Sequence, residues 1–311
     1  MRGRAVVLGL AALLVAACGA PSASSSSSGS AEASASSTAS SGSADGVVEI
    51  GNGRVIRATC AGFDQTGPTV VFVSGSQSAG DEWMALRKPG ATGMTLADME
   101  ESPSAVFGQV TAFAPACAYD RPGTVRLDGS VTGSTPVNQP TTAMADVADL
   151  EAWLSAAQVA PPYVLVGHSW GGLIATLFAA TYPSKTAGLV LVDPANPYLE
   201  DNLTAEQWDA FVRVGANLVD GSGKESPDYP NTMATVRAAN VPDVPVVVLT
   251  SDKPFDFGAG PDTWPAWLAS ADRLAAELGA EHVTKTDSGH LIPIEQPGLV
   301  VDAVRSVMGR G

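Results

Sequence analysis

The sequence predicts an α/β fold with a mostly parallel central sheet flanked by helices. From about residue 68 onward, short β-branched runs alternate with longer segments of helical periodicity. Alternation of this kind produces parallel strands joined by crossover helices. The preceding stretch "VVEIGNGRVIRATC" indicates a hairpin that turns at Asn52 and Gly53, which adds an antiparallel pair at the start of the sheet.

The first parallel strand is predicted at residues 68–75, where the run "PTVVFVSG" is typical of a strand buried on both faces. Residues 76–109 show no clear pattern. Further strands are predicted within "FAPACAYD" and at 163–166, 187–192, 244–250 and 281–285, and helices at 170–181, 265–278 and 297–308.

One more helix is predicted at residues 141–158. Apolar residues recur at helical spacing from Val147 to Leu154 and form one face of this helix. The same spacing predicts that Asp146, Asp149 and Glu151 point toward solvent. Proline at position 161 ends the helix before the next strand begins.

The N-terminal residues 1–17 have the form of a secretory signal peptide. Two arginines precede an apolar run of about a dozen residues, which is too short to span a bilayer of ~30 Å as a helix. Small residues then lead to Cys18, and "VAAC" resembles the lipobox of bacterial lipoproteins. We expect cleavage before Cys18 and acylation of this cysteine, which would anchor an exported protein to the membrane at the cell surface. An ordinary signal peptide and a secreted protein are the alternative.

Residues 18–45 are predicted to form a flexible tether, and residues 46–311 the folded domain. The tether consists almost entirely of Ser, Ala, Gly and Thr, which offer too little apolar surface to offset the entropy of ordering. The full chain has a formal net charge of -15. This acidic balance argues against nucleic-acid binding and against docking on anionic lipid through a basic patch. We expect a monomer.

A G-x-S-x-G segment lies between a predicted strand and a predicted helix. It comprises Gly167 to Gly171, with Ser169 at its centre, inside the stretch "YVLVGHSWGGLIATLFAATYP". In this position the segment forms a nucleophile elbow, in which a strained turn exposes the serine at the carboxyl end of the sheet. The start of the following helix directs backbone N–H groups toward developing negative charge. The pattern predicts that Ser169 is a nucleophile.

The chain from about residue 47 to the C-terminus resembles serine hydrolases of the α/β-hydrolase superfamily, and in particular bacterial secreted members. The resemblance is carried by "CAYDRPG", the serine segment and "GLVLVD" in this order. It implies that "VFVSGSQSAGDEW" occupies the place of the oxyanion loop, with backbone N–H donors at Ser76 and Trp170. Ser74 stands where many relatives have histidine, a difference that a hole built from backbone donors tolerates.

A serine nucleophile requires a general base, which is usually histidine. His168 is adjacent to the serine, so its side chain is expected to point away from the hydroxyl and pack beneath the elbow. His282 opens the last predicted strand and is expected to face solvent or a helix. His290 follows that strand, in the loop from which the family takes its base. We therefore expect His290 to be the base.

The acid of the triad has three candidates. Family members usually take it from the loop after the strand at 244–250, but the usual spacing falls on Pro254, so that Asp252 and Asp256 are both out of register. The other known location, the end of the preceding strand, contains Asp193 in "GLVLVDPANP". The pattern favours Asp193, with Asp252 as the first alternative and Asp256 as the second.

The insertion at about residues 194–241 lies where the superfamily has its lid. Its aromatic residues indicate either a small apolar substrate pocket or the insertion's own core; they are Tyr198, Trp208 and Phe211, and Trp264 and Trp267 farther along are equally ambiguous. The expected reaction is hydrolysis of a small or medium carboxylic ester. An amidase or peptidase with the same triad and a non-catalytic binding protein are the alternatives.

The remaining cysteines, Cys60 and Cys117, flank predicted core strands. In an exported protein they are expected to form a disulfide, with two buried free thiols as the alternative. No metal or organic cofactor is implied, because the sequence contains no H-E-x-x-H, no cysteine cluster and no G-x-G-x-x-G after a strand.

Overall fold

The computed structural model of the protein describes residues 44–93, 95–217, 223–260 and 262–309. The predicted signal peptide, Cys18 and all but the last two residues of the predicted tether lie outside these ranges. The first strand begins at Ala44, two residues before the predicted start of the domain at residue 46. In the described ranges, no helix has the length and apolar character needed to cross a bilayer.

The strands of the described chain are β1 (Ala44–Gly51), β2 (Arg54–Ala61), β3 (Thr69–Val73), β4 (Ala85–Arg87), β5 (Met99–Glu101), β6 (Ala116–Asp120), β7 (Tyr163–His168), β8 (Thr186–Val192), β9 (Val246–Leu249) and β10 (Glu281–Val283). The α-helices are α1 (Val106–Val110), α2 (Ala143–Ala156), α3 (Trp170–Thr181), α4 (Ala205–Asn217), α5 (Tyr229–Arg237), α6 (Trp264–Glu277), α7 (Ile292–Glu295) and α8 (Pro297–Gly309).

Within the described residues, eight of the strands form one sheet in the order β1-β2-β6-β3-β7-β8-β9-β10. The β1–β2 and β2–β6 pairs are antiparallel, and every later pair is parallel. The predicted α/β-hydrolase fold, a mostly parallel sheet with an antiparallel hairpin at its start, is therefore confirmed. The unpredicted β4 and β5 form a separate antiparallel pair inside the segment that showed no clear sequence pattern.

Alternate residues of the central strands pack into two separate hydrophobic cores, one on each face of the sheet. In β8, Leu189 and Leu191 pack on one face with side chains from α2 and α3, whereas Val190 and Val192 pack on the other with side chains from α1 and α8. All four are fully buried. Continuous apolar runs therefore form these strands because both faces of the sheet are covered by helices. A sheet packed in this way fixes the positions of its strand ends, where the polar residues gather.

Cys60 of β2 and Cys117 of β6 are directly opposite each other in the antiparallel pair and are joined by a disulfide. Their Cα atoms are 4.1 Å apart, and 57 residues separate them in sequence. The disulfide expected from the sequence is thus present in the structure. It closes a long loop and links the hairpin to the parallel part of the sheet.

Candidate active site

Ser169 lies in a strained turn at the carboxyl end of β7. Its backbone angles are φ 51° and ψ −118°, and it is the residue immediately before α3. A non-glycine residue in such a conformation costs about 1–3 kcal/mol and persists only where the surroundings impose it. Here the Ser169 N–H donates to the carbonyl of Val192, and its own carbonyl accepts from Ala195 N–H. The turn is therefore fixed from the neighbouring strand end.

The glycines of this turn are required by close backbone contacts. A Cβ atom on Gly171 would lie 2.1 Å from the Val73 carbonyl oxygen, and one on Gly167 would lie 2.4 Å from the Gly171 carbonyl oxygen. Neither position has room for a side chain. The G-x-S-x-G pattern thus follows from the way α3 packs onto the ends of β3 and β7.

His290 and Asp193 form a hydrogen-bonded pair in front of this turn. The Nδ1 atom of His290 lies 2.7 Å from Oδ2 of Asp193, although 97 residues separate them in sequence. The Asp193 side chain is fully buried, and the imidazole is 24% exposed. The Phe255 ring stacks on the imidazole with centroids 4.5 Å apart, and Trp267 meets it edge-on at 5.7 Å. The imidazole is therefore held at its Nδ1 atom and by both aromatic neighbours.

Three further donors complete the surroundings of Asp193. Ser251 gives its backbone N–H to Oδ1 and its hydroxyl to Oδ2, each at 2.9 Å, and Trp267 Nε1 donates to Oδ1 at 3.1 Å. A carboxylate only accepts hydrogen bonds, so the Nδ1 atom of His290 carries the hydrogen in the pair. This tautomer leaves Nε2 of His290 as an acceptor, which is the state that a general base needs.

Neither of the other two acid candidates is hydrogen-bonded to His290 in the described part of the chain. Asp252 is exposed and accepts backbone N–H groups of Asp287 and Ser288, each at 3.0 Å. It therefore ties down the loop that leads to His290 without contacting the imidazole. Asp256 is also exposed, and its Oδ1 atom accepts the Gly258 N–H at 2.8 Å. Of the three candidates, the structure brings only Asp193 to His290 within the described residues.

Two backbone N–H groups lie free beside the turn. Among the described residues, neither the Ser76 nor the Trp170 N–H has an acceptor in the protein. Trp170 is the first residue of α3, where backbone donors are unsatisfied and the helix dipole favours negative charge. Ser74, at the position that holds histidine in many relatives, donates its hydroxyl to the Ala79 carbonyl and stays buried. Its side chain braces the loop that Ser76 belongs to.

His168 points away from Ser169 and pairs with Glu82. Its Nδ1 atom is 2.7 Å from Glu82 Oε1, and its Nε2 atom is 2.9 Å from the His290 carbonyl oxygen. Both partners are acceptors, so both ring nitrogens of His168 donate. Burial lowers the pKa of His168, but the charge and hydrogen bond of Glu82 outweigh burial and raise it above its usual value. His168 thus links the loop around Glu82 to the backbone of His290.

Asp146 is not on the solvent face of α2, and the sequence prediction for it was wrong. The residue is only 3% exposed, and its Oδ2 atom accepts the indole N–H of Trp170 at 3.1 Å. Burial and the nearby charge of Glu225 raise the pKa of Asp146 to about 7, against the opposing effect of Arg121. The helical spacing gave the wrong position for Asp146 because it does not take account of Trp170 on the neighbouring helix. The buried indole N–H of Trp170 needs an acceptor, and the Asp146 carboxyl provides it.

A cavity of about 360 Å³ opens directly onto these groups. Ser76, Ser169 and His290 line its floor. Its walls are mainly apolar and come from the insertion and from the segment after β9; they include Phe211, Val214, Tyr229, Phe255, Phe257 and Trp267. Asp256 lines it too, whereas no lysine or arginine does so among the described residues. The cavity is at the lower end of the ~300–1,000 Å³ typical of small-molecule sites.

The insertion between β8 and β9 supplies part of this cavity. Its described residues, 194–217 and 223–241, contain α4 and α5. Phe211 on α4 packs against Tyr229 on α5, with ring centroids 4.9 Å apart. Of the ambiguous aromatics, Phe211 is a wall residue, and Trp267, farther along the chain, binds Asp193.

Three groups of contacts had no recognised signal in the sequence: the Trp267 and Ser251 donors to Asp193, the Glu82–His168 pair, and a buried pair between Arg121 and Glu225. Arg121 belongs to the "YDRPG" turn, so that motif was the one available indication. The partner residues lie far away in sequence, and no local spacing connects them.

Comparisons with known proteins agree with the fold. The sequence model described as the Alpha/beta hydrolase family matches residues 70–303. YqjL of Bacillus subtilis strain 168 is 26% identical over 242 residues, which cover 78% of this chain and 84% of that protein. Lipase LipV of Mycobacterium tuberculosis is 46% identical over 80 residues, 26% of this chain and 30% of the lipase.

Solved structures show the same fold at low identity. A thermophilic esterase from Thermogutta terrifontis superposes with a TM-score of 0.53 and 19% identity, covering 85% of this chain and 97% of the esterase. At this identity the likeness concerns the fold alone. The match of the family model over residues 70–303 shows that the chain belongs to the alpha/beta hydrolase family.

Proposed function

We propose that the protein is a serine hydrolase that cleaves small or medium carboxylic esters through Ser169, His290 and Asp193. The observation that carries the proposal is the convergence of the strained Ser169 turn and the His290–Asp193 pair on one apolar cavity. The activity named for LipV, which is 46% identical over 80 residues, favours ester chemistry within the family.

In the proposed reaction, the Ser169 hydroxyl attacks the ester carbonyl carbon while Nε2 of His290 takes its proton. The carbonyl oxygen becomes an oxyanion held by the N–H groups of Ser76 and Trp170. Collapse breaks the carbon–oxygen bond, and His290 returns the proton to the departing alcohol. A water molecule, deprotonated by His290, then hydrolyses the acyl-enzyme to the carboxylic acid. Asp193 orients the imidazole and stabilises its charged form.

The cavity favours an acyl or alcohol group that is apolar and compact. Its aromatic walls offer apolar contacts to such a group, and a volume of about 360 Å³ leaves no room for a long chain folded inside it. The single carboxylate at Asp256, with no cation among the described lining residues, disfavours substrates that carry a negative charge close to the scissile bond. We expect neutral esters of short and medium chain length to be the best substrates.

An ester and amide series tests the proposal on the domain from residue 46 onward. A set of 4-nitrophenyl esters of increasing acyl length is compared with the matching anilides, with Ser169→Ala as the blank. Ester turnover that exceeds the blank supports the proposal. Preferential anilide turnover favours the amidase or peptidase alternative. Binding without turnover, unchanged in Ser169→Ala, favours a binding protein.

The sequence carries a second proposal, on location. We propose that the chain is exported and that Cys18 is acylated, so that the acidic domain stands off the membrane on a flexible tether, as a monomer. Metabolic labelling with palmitate tests the anchor. Labelling of the wild-type chain and its loss in Cys18→Ala support it. A chain that is secreted without label in both forms contradicts it.

A further inference from the structure

A buried ion pair joins the proposed oxyanion loop to the insertion. Arg121 and Glu225 are fully buried, and Nε of Arg121 lies 2.6 Å from Oε1 of Glu225, with Nη2 3.0 Å from Oε2. Two of the three remaining guanidinium hydrogens go to the backbone. Nη1 donates to the Ser74 carbonyl at 2.9 Å, and Nη2 donates to the Gly75 carbonyl at 2.6 Å. One guanidinium thus binds Glu225 and two consecutive residues of the loop.

Glu225 also holds the loop directly. Its Oε2 atom accepts the Gln77 backbone N–H at 2.6 Å, and its carbonyl accepts the Gln77 side-chain amide at 3.1 Å. The backbone N–H of Glu225 donates to the Gly123 carbonyl at 2.9 Å, next to the turn that contains Arg121. Glu225 belongs to the inserted segment, 148 residues away from Gln77. The insertion therefore binds the proposed oxyanion loop as well as lining the cavity.

A second buried pair holds the other end of the same loop. Oε2 of Glu82 accepts the Gly75 N–H at 2.9 Å, while Oε1 pairs with His168. The residue between Gly75 and Gln77 is Ser76. Its N–H is left without a protein acceptor and lies at the floor of the cavity beside Ser169. Two carboxylates thus fix the peptide on either side of a single free donor.

A buried ion pair is weak evidence for stability, because removing both charges from water offsets much of their attraction. The effect of the Arg121–Glu225 pair on the geometry of the loop around Ser76 is clearer. An oxyanion donor is effective only where its N–H already points at the developing charge, and a misplacement of about 1 Å costs on the order of 10²-fold in rate. Gln77 has a φ of 62°, so this loop also needs external contacts to keep its conformation.

We propose that Glu225, acting with Arg121, is a positioning residue that aims the Ser76 N–H at the oxyanion. The inference rests on the proposed function and adds a role for the insertion, which supplies a residue that the oxyanion loop requires. Glu225 touches neither substrate nor reacting atoms. Its effect passes through the backbone of Gly75 and Gln77.

Two variants test this role. Glu225→Gln keeps the shape of the side chain but weakens its hold on Arg121 and Gln77, and it leaves a buried charge uncompensated. The double variant Arg121→Met with Glu225→Leu removes both charges, which often restores stability. The matched control is Asp149→Asn, which breaks a partly buried ion pair with Arg54 on the hairpin side of the sheet.

The measurements compare how tightly each variant binds the transition state with how tightly it binds the ground state. We expect kcat for an ester to fall about 10²-fold in both test variants, with KM within about threefold, as for loss of an oxyanion donor. The inhibition constant of a trifluoromethyl ketone, which adds to the serine and forms an oxyanion, should rise by the same factor as kcat/KM falls. The dissociation constant of a matching ether, which lacks the carbonyl, should not change. Asp149→Asn should leave kcat, the inhibition constant of the ketone and the dissociation constant of the ether unchanged.

Three results overturn the inference: wild-type kcat in the double variant, equal losses for ketone and ether, or a loss that follows the unfolded fraction measured by circular dichroism. If neither variant folds, amide hydrogen exchange in the wild type decides. We expect the Gln77 N–H to be protected and the Ser76 N–H to exchange rapidly, and rapid exchange of Gln77 overturns the inference. A wild-type chain no more active than Ser169→Ala instead removes the proposed function, and this role falls with it.

Discussion

Nδ1 of His290 lies 2.7 Å from Oδ2 of Asp193, an aspartate that follows β8 and not the strand after it. The acid of this pair therefore comes from the less usual of the two strand ends that the superfamily employs. The backbone of Asp193 explains how it reaches the imidazole. Its N–H donates to the Leu249 carbonyl, and its φ of 40° turns the side chain inward at the end of the sheet.

The first prediction concerns the choice of acid. Asp193→Asn should reduce kcat by about 10³–10⁴-fold, because an amide at this position no longer holds His290 in the required tautomer. Asp252→Asn should stay within about tenfold of the wild type, because it affects only the loop leading to His290. Steady-state kinetics on one ester measures both. The opposite ranking of the two variants would transfer the acid role to Asp252.

A second prediction concerns the indole of Trp267. Trp267→Phe retains an aromatic ring beside His290 but removes the N–H that donates to Asp193. Hydrogen bonds to charged groups contribute about 1.5–3 kcal/mol, so we expect a fall in kcat of about ten- to a hundredfold. Phe257→Leu, a change in the same cavity that removes no donor, serves as the control. Equal effects of the two changes would show that packing alone is responsible.

The buried carboxyl of Asp146 gives a prediction about pH and stability. Burial and the charge of Glu225 raise the pKa of Asp146 in the folded protein to about 7 from its ordinary value of 3.8, against the opposing effects of Arg121 and the Trp170 N–H. The folded state therefore binds the extra proton, and the free energy of unfolding contributed by this group falls as pH rises from about 4 to about 7. The charge of Asp149 also raises the pKa of Asp146, as the charge of Glu225 does.

Asp146→Asn should remove this fall in the free energy of unfolding with rising pH. Its amide oxygen still accepts from Trp170, but the side chain carries no charge at any pH. Urea unfolding at pH 5 and pH 8 measures the difference, and the variant should gain stability relative to the wild type at the higher pH. An identical pH dependence in both proteins would show that Asp146 does not titrate in this range.

Selection of substrate charge by Asp256, which lines the cavity, is the subject of a fourth prediction. Asp256→Lys should raise kcat/KM for an ester that carries a carboxylate on its acyl chain by about tenfold at low ionic strength, and the gain should shrink with added salt. A neutral ester of the same length is the control and should change little. A gain that is equal for both esters would indicate a change of shape and not of charge.

The features that were predictable from sequence are local. Ser169 is marked by its flanking glycines and by the apolar strand before it, and all of these residues lie within ten positions of the serine. The alternation of strands and helices is local too, and the fold predicted from it is confirmed. His290 was predicted from its place after the last strand, and the structure puts it beside the serine turn.

The contacts that were missed join residues distant in sequence. Glu225 lies 104 positions from Arg121, and Glu82 lies 86 from His168. Nothing in the spacing of charged residues distinguishes such buried carboxylates from solvated ones. Asp146 shows the same limit, because the helical pattern placed it on the polar face while a tryptophan on another helix drew it inside.

Covalent labelling of Ser169 tests the central claim most directly. The domain from residue 46 onward is incubated with a fluorophosphonate, and intact-mass and peptide-mass spectrometry locate the adduct. We expect one adduct per chain, on Ser169, with labelling abolished in Ser169→Ala and slowed by about 10³-fold or more in His290→Ala. A wild-type protein that remains unlabelled, or a Ser169→Ala variant that is labelled at the same rate, would contradict the account.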